Sequence, residues 1–260
     1  MQKPGGHYKL LKFKKKLKWI IDSFSDELFI LVNKSKGPVG GGVICPVCQI
    51  HLKQFKFSDK FNSYCPKCKS LSRHRGFALV YQHYLGKTFP HGQKKYLHFA
   101  AEKCLLQMYV NDGVDYVTAD FQSRSQKGSH FQDGRDISAD MSNMPQIQND
   151  SFDVVIAFDV LEHIKDDLKA ISEVNRILRR GGVFCFSVPI QRLHTYEFNE
   201  GENQGDTDHV RSCGFDYKNR LIDSGFVVEV VSLIEESELN KLHDLKSSEH
   251  HPEIYICTKI

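Results

Sequence analysis

Asn149-Asp-Ser-Phe-Asp-Val-Val-Ile-Ala-Phe-Asp-Val-Leu-Glu-His-Ile164 is the segment from which the fold is read. Within it, Phe152-Asp-Val-Val-Ile-Ala-Phe158 is a short, nearly continuous apolar run rich in β-branched residues. Such a run suits a strand of a parallel sheet covered on both faces. Polar Asn149-Asp-Ser151 precedes it and Asp159 follows it, so the strand is bounded at both ends. Downstream, residues from Asp166 to Arg179 place Leu168, Ile171, Val174, Ile177 and Leu178 on one helical face. Gly181-Gly182 is expected to end that helix, and Val183-Phe-Cys-Phe-Ser-Val188 to form the next strand.

Outward from this strand–helix–strand unit the alternation continues. Lys95-Tyr-Leu-His-Phe-Ala100 and Val114-Asp-Tyr-Val-Thr-Ala119 read as strands with a helix, Lys103 to Val110, between them. A short strand is expected near Arg135 to Ser138. Tyr217 to Ser224 reads as a helix stopped by Gly225, and Phe226 to Val231 and Glu253 to Thr258 as the last strands. Strands alternating with helices predict a doubly wound, mostly parallel, seven-stranded α/β sheet. Ligands of such sheets bind outside the carboxyl ends of the strands.

Before this domain stand Cys45-Pro-Val-Cys48 and Cys65-Pro-Lys-Cys68. Each C-x-x-C turn brings two thiolates to one side of a tight knuckle, and two knuckles complete a tetrahedral sulfur shell suited to Zn²⁺. With four protein ligands no position stays open, so a structural zinc is expected. The other four cysteines (Cys104, Cys185, Cys213, Cys257) are scattered, which reads as a reducing compartment and a cytoplasmic protein. The expected organisation is a basic amphipathic helix and linker at 1–38, a zinc-ribbon module with its connecting helix at 39–90, and the α/β domain at 91–260.

The first zone carries Leu10, Phe13, Leu17, Ile20, Ile21 and Phe24 at helical spacing among many lysines. Such a helix packs on the protein's own body or lies peripherally on an anionic membrane. Met1 to Lys18 lacks an apolar h-region and a small-residue cleavage site, so no secretory leader is expected, and no apolar run is long enough to span a bilayer. A formal net charge of +3 does not announce a nucleic-acid binder.

The Ser151-Phe-Asp strand, Leu161-Glu-His163, and the helix ending in Arg176, Leu178 and Gly181-Gly182 resemble class I S-adenosylmethionine-dependent methyltransferases with a Rossmann-like fold. The resemblance covers roughly Lys94 to Ile260. A subgroup with a zinc-ribbon leader is similar in further places: Ser70, Leu71, Arg73, His74 and Arg75; Leu97, His98, Ala100 and Glu102; Thr195, Tyr196 and Glu197; and Asp208, His209, Val210 and Arg211. The resemblance implies S-adenosyl-L-methionine as cofactor, with Asp120 on the ribose hydroxyls, Phe121 beside it, Asp140 on the adenine amino group and the Met141 backbone facing the ring. Phe158 and Asp159 would lie near the methionine half. His98-Phe-Ala-Ala-Glu102 stands where the family has a glycine-rich turn against the cofactor, so the resemblance puts His98, Ala100 and Glu102 at the cofactor, though the segment contains no glycine.

Methyl transfer mainly requires alignment of nucleophile, methyl and sulfur, with a base for an oxygen or nitrogen acceptor. His209 is the leading candidate base, with Asp208 to orient it and His194, Tyr196 and Glu197 in the same polar loop. His163 is read as structural. Three functions follow as expectations: methylation of a small-molecule or glycan acceptor, methylation of RNA gripped by the zinc module, or a non-catalytic adaptor that has kept the fold. For the RNA reading, Lys53, Lys56, Lys60, Lys67 and Lys69 interleave with Phe55, Phe57, Phe61 and Tyr64.

Overall fold

A computed structural model of the 260-residue chain describes residues 25–34, 42–57, 63–85, 94–111, 113–121, 136–199, 202, 208–232, 243 and 253–260. Most of the lysine-rich segment, the linker and Arg135 therefore lie outside the described residues. Residues 25–33 are helical. The short strands β1 (Val43–Ile44), β2 (His51–Leu52), β3 (Lys56–Phe57) and β4 (Ser63–Tyr64) form two small hairpins. The helix Ser72–Val80 follows and continues as one π turn to Leu85.

The main sheet contains β5 (Lys95–Phe99), β6 (Asp115–Asp120), β7 (Asp136–Ser138), β8 (Phe152–Phe158), β9 (Leu178–Ser187), β13 (Phe226–Ser232) and β14 (Glu253–Lys259). Their order across the sheet is β13-β14-β9-β8-β5-β6-β7. The pairs β5·β6, β6·β7, β5·β8 and β8·β9 are parallel, and β14 runs antiparallel to both its neighbours. This is the doubly wound, mostly parallel seven-stranded sheet expected of the Rossmann-like methyltransferase fold. The chain proceeds from β5 outward to β7, then returns to β8 on the other side of β5. The crevice at the carboxyl ends of β5 and β8 is therefore the switch point of the sheet. Three small strands, β10 (Ile190–Arg192), β11 (Tyr196–Glu197) and β12 (Arg211–Gly214), form a separate sheet beyond β9.

Each face of the main sheet is buried. One face packs Leu97, Val155, Phe184 and Phe186 against the helices Asp167–Ile177 and Lys218–Asp223. The other packs Tyr96, Val154, Ile156 and Cys185 against Lys103–Asn111 and against Phe77, Ala78, Tyr81 and Leu85. The segment Ser72–Leu85, assigned from sequence to the cysteine module, thus supplies part of this domain's helical layer.

Two local expectations are corrected. The helix begins after Asp166, whose side chain accepts from Lys169 N, and ends at Ile177, because Leu178 is already extended and starts β9. Leu168 is exposed and Ala170 takes the core-facing place. Gly181 and Gly182 lie inside the irregular start of β9, where Leu178 pairs with Phe152 and Val183 with Val154. Gly181 takes φ +75°, and a Cβ on Gly182 would stand 2.7 Å from the Arg179 carbonyl oxygen. The glycine pair thus serves a strand bulge and not a helix cap.

Candidate active site and its supporting module

A cleft of about 870 Å³ opens at the switch point. Its walls come from successive strand ends: Phe99 and Ala100 after β5, Ala119, Asp120 and Phe121 at β6, Ala139, Asp140, Met141 and Ser142 after β7, and Asp159 and Val160 after β8. His163, Ile164, Lys165, Asp166 and Asp208 close the remaining side. Ala100 and Asp159 take φ of +48° and +50°, a left-handed backbone that costs an L-residue of order 1 kcal/mol. Both stand at strand ends facing the cleft. Ala100 thus holds a left-handed backbone that usually favours glycine, and its methyl group is small enough to keep the wall close. The Asp140 carboxylate accepts from Ser142 N at 2.9 Å and from the Ser142 hydroxyl at 2.8 Å, which fixes the loop after β7.

Of the residues expected to touch cofactor, Ala100, Asp120, Phe121, Asp140, Met141 and Asp159 line this cleft. His98, Glu102 and Phe158 are not among its lining residues. His98 is fully buried on the opposite side of β5, with Nδ1 2.7 Å from the Tyr116 hydroxyl and Nε2 2.9 Å from Glu102. Phe158 packs edge-on to Phe77. Glu102 also meets His74 Nε2 at 3.3 Å. Burial opposes ionisation of Glu102, yet His74 and His98 together lower its carboxyl to about 2.

Of the residues expected around the acceptor, Asp208 lines the cleft and His209 stands beside it, its ring edge-on to His163 with centroids 4.7 Å apart. The other three do not converge on it. Glu197 pairs with Arg211 and with Arg220, at 3.1 and 2.5 Å. Burial works against that carboxylate, but the two guanidiniums hold it below its usual range. The Tyr196 hydroxyl donates to Glu202, and His194, 86% exposed, stands 3.3 Å from Asp216.

His163, read from the sequence as structural, is among the residues that line the cleft. It lies in the 3₁₀ turn Leu161–His163 directly after β8, faces the cleft, and has Nδ1 3.2 Å from the Asp208 carbonyl oxygen. Beside it Glu162 is buried, and burial together with the charge of Asp159 pushes its carboxyl up to about 8. One buried cation holds this corner together. Arg211 donates to the carbonyls of Leu161, Ile164 and Lys165 at 2.6, 2.7 and 3.0 Å, while Val210 N donates to the Glu162 carbonyl at 2.9 Å. The motif Asp208-His-Val-Arg211 is thereby a clamp on the Leu161-Glu-His163 turn.

The cysteine module supports the site from the other side. Its two knuckles are alike: Gln49 N donates to Cys45 O and Lys69 N to Cys65 O, each at 2.8 Å, and Gln49 and Lys69 both take left-handed φ. The four Sγ atoms lie within 4.8 Å of one another, with Cys45 to Cys68 and Cys48 to Cys65 both 3.6 Å apart. A tetrahedral zinc with bonds of about 2.3 Å separates its sulfurs by about 3.8 Å, whereas a disulfide needs about 2 Å. The donor set and spacing therefore fit a four-coordinate ion. Ser70 Oγ stands 3.3 Å from Cys45 Sγ and 3.1 Å from Cys68 Sγ.

Three successive residues of the following helix then tie module to domain. Arg75, fully buried over the Phe55 ring, donates to Ser63 Oγ, Ser70 O and His243 O. His74 reaches Glu102, and Arg73 reaches Asp159 at 3.1 Å in the cleft wall. Lys56, Lys69 and the Tyr64 hydroxyl all converge on Asp26 of the preceding helical residues, and Phe55 is core. Lys60 and Phe61 lie outside the described residues. No helix among the described residues is long and apolar enough to cross a membrane.

Residues 92–186 match a family model described as "Methyltransferase domain". A curated protein of Mycolicibacterium smegmatis, named "Probable S-adenosylmethionine-dependent methyltransferase", is 35% identical over 83 residues, an alignment spanning 27% of this chain and 31% of that protein. The chain therefore aligns with about a third of its curated relative's length. A solved S-adenosylmethionine-dependent methyltransferase from Archaeoglobus fulgidus superposes with a TM-score of 0.50 at 14% identity, covering 72% of this chain and 94% of that one. One from Mesorhizobium loti gives a TM-score of 0.49 at 15% identity, covering 68% and 96%. At such identity the first of these speaks for the fold alone. Residues 92–186 thus resemble a methyltransferase domain, and the sheet order with its switch-point cleft agrees with that match.

Proposed function

We propose that this protein transfers the methyl group of S-adenosylmethionine to an oxygen or nitrogen of a small-molecule or glycan acceptor. The observation that carries this reading is the placement of Asp120 and Asp140 at successive strand ends in one cleft. In this reading Asp120 accepts the ribose hydroxyls, Asp140 accepts from the adenine amino group, and the Met141 backbone faces the ring. The turn at Ala100 and Asp159 lets backbone approach the methionine half. The acceptor enters beside His163, Asp208 and His209, where a group able to take a proton near neutrality is useful. When bound, the cofactor supplies a sulfonium methyl, already electrophilic. The chain's own task is then orientation and exclusion of water. A structural Zn²⁺ on Cys45, Cys48, Cys65 and Cys68 holds the module that buttresses this cleft.

RNA is less well supported as the acceptor. Of the lysines that would grip phosphate, Lys56 and Lys69 are engaged with Asp26. Screening glycan and sugar-nucleotide pools for S-adenosylhomocysteine release tests the reading. With an acceptor in hand, His209→Gln should lower turnover roughly 10²-fold while leaving cofactor affinity nearly unchanged. Undiminished turnover would remove His209 from the chemistry. Binding of cofactor with no turnover on any acceptor would favour a non-catalytic adaptor.

A further inference from the structure

At the acceptor side of the cleft, donor atoms of Glu162, His163 and His209 all lie within 4.8 Å of one another. Three features separate this cluster from a chance meeting of polar side chains. First, Glu162 is 1% exposed, and neither carboxylate oxygen has a hydrogen-bond partner among the described residues. Leaving both oxygens of a buried carboxyl without a hydrogen bond is costly, and an ion bound by them in place of the carboxyl proton would satisfy them. His163 Nε2 stands 4.0 Å from its Oε1, beyond hydrogen-bonding reach. Second, His163 Nδ1 is 3.2 Å from the Asp208 carbonyl oxygen. A carbonyl only accepts, so the N–H is on Nδ1 and the lone pair of Nε2 points into the cluster. This is the arrangement by which metal-ligating histidines are held. Third, the two segments are clamped together by Val210 N on the Glu162 carbonyl and by Arg211 on three carbonyls of the turn. The two segments that carry the donors are thus held in register.

We propose that Glu162, His163 and His209 form a binding site for one divalent first-row transition ion, distinct from the cysteine site and open toward the cleft. Two imidazoles and one carboxylate suit Mn²⁺, Fe²⁺, Co²⁺ or Zn²⁺ better than Mg²⁺ or Ca²⁺, which prefer all-oxygen shells. Ligands at about 2.1 Å stand about 3 Å from one another, so closure requires movements of about 1 Å at the side-chain tips. Three protein ligands leave coordination positions vacant, and His163 puts them on the cleft wall. A ligand there would be an oxygen donor, a hydroxyl or carboxylate of the acceptor. That last step rests on the methyl-transfer reading above, whereas the ion site does not.

The test uses the full chain with its cysteine site loaded with zinc. Mn²⁺ is titrated in and its free electron paramagnetic resonance signal followed, since Mn²⁺ competes poorly for thiolates. The expected result is one Mn²⁺ per chain beyond the zinc, weakened at least tenfold in His163→Ala and in His209→Ala with zinc content unchanged. His163 is largely exposed, so its variant is expected to fold, and circular dichroism checks this. No Mn²⁺ binding, or binding equal in wild type and both variants, overturns the site. S-adenosylhomocysteine binding is measured on the same samples. Mn²⁺ binding without it upholds the ion site and counts only against the methyl-transfer reading. The converse leaves that reading intact and overturns the ion site.

Discussion

Ala100 shows how a single residue shapes the cleft. Its left-handed backbone is strained but tolerable for a small side chain, and a β-branched residue is a true outlier there. Ala100→Val should therefore destabilise the fold by about 2 kcal/mol in denaturant titrations, whereas Ala100→Gly should be close to neutral. Equal stability of all three would mean that the turn relaxes freely. The absence of glycine from His98-Phe-Ala-Ala-Glu102 was visible in the sequence, but not that alanine would take glycine's conformation. The two halves of that motif also part company. Ala100 faces the cleft, while His98 and Glu102 turn to the buried layer with Tyr116 and His74. Strict strand alternation would put residues 98, 100 and 102 on one face, and the turn after Phe99 breaks that period. That His163 lines the cleft beside Asp208 and His209 was not legible, because those residues are more than forty positions away in the chain.

Among the elements, the turn Leu161–His163 and the strand β12 depend on each other through Arg211. The planar guanidinium meets the carbonyls of Leu161, Ile164 and Lys165 from a fully buried position, the first of them shared with Ile164 N of the turn. Lysine carries the charge but cannot fork. Arg211→Lys should accordingly lower unfolding free energy by about 3 kcal/mol, read from denaturant midpoints at constant slope. A loss under about 0.5 kcal/mol would show that water replaces the clamp easily. The strands of the main sheet were legible from sequence because buried parallel strands are apolar throughout, as Phe152–Phe158 illustrates. The glycine pair was not. Gly181-Gly182 has the composition of a helix stop, and only the register jump between Phe152 and Val154 reveals a bulge.

Across the whole molecule, the cysteine module acts as a wall of the α/β domain more than as an appendage. Arg75 gathers the two hairpins, His74 meets Glu102 and Arg73 meets Asp159, so folding of the module bears on the loops after β5 and β8. Stripping zinc should thus weaken S-adenosylhomocysteine binding by about tenfold or more, because ion binding supplies the module's folding energy. Unchanged affinity in the stripped protein, with its zinc loss verified, would break this link. The C-x-x-C spacing announced the module, and the docking of Ser72–Leu85 onto the sheet did not follow from it, since its apolar residues suit either neighbour. In the proposed reading the switch-point cleft holds S-adenosylmethionine with Asp120 on the ribose. Calorimetric titration of S-adenosylhomocysteine into the wild type and Asp120→Ala checks this. One molecule bound per chain, weakened by about 1.5–3 kcal/mol in the variant, is the predicted result; no binding, or equal affinity in both proteins, would contradict it.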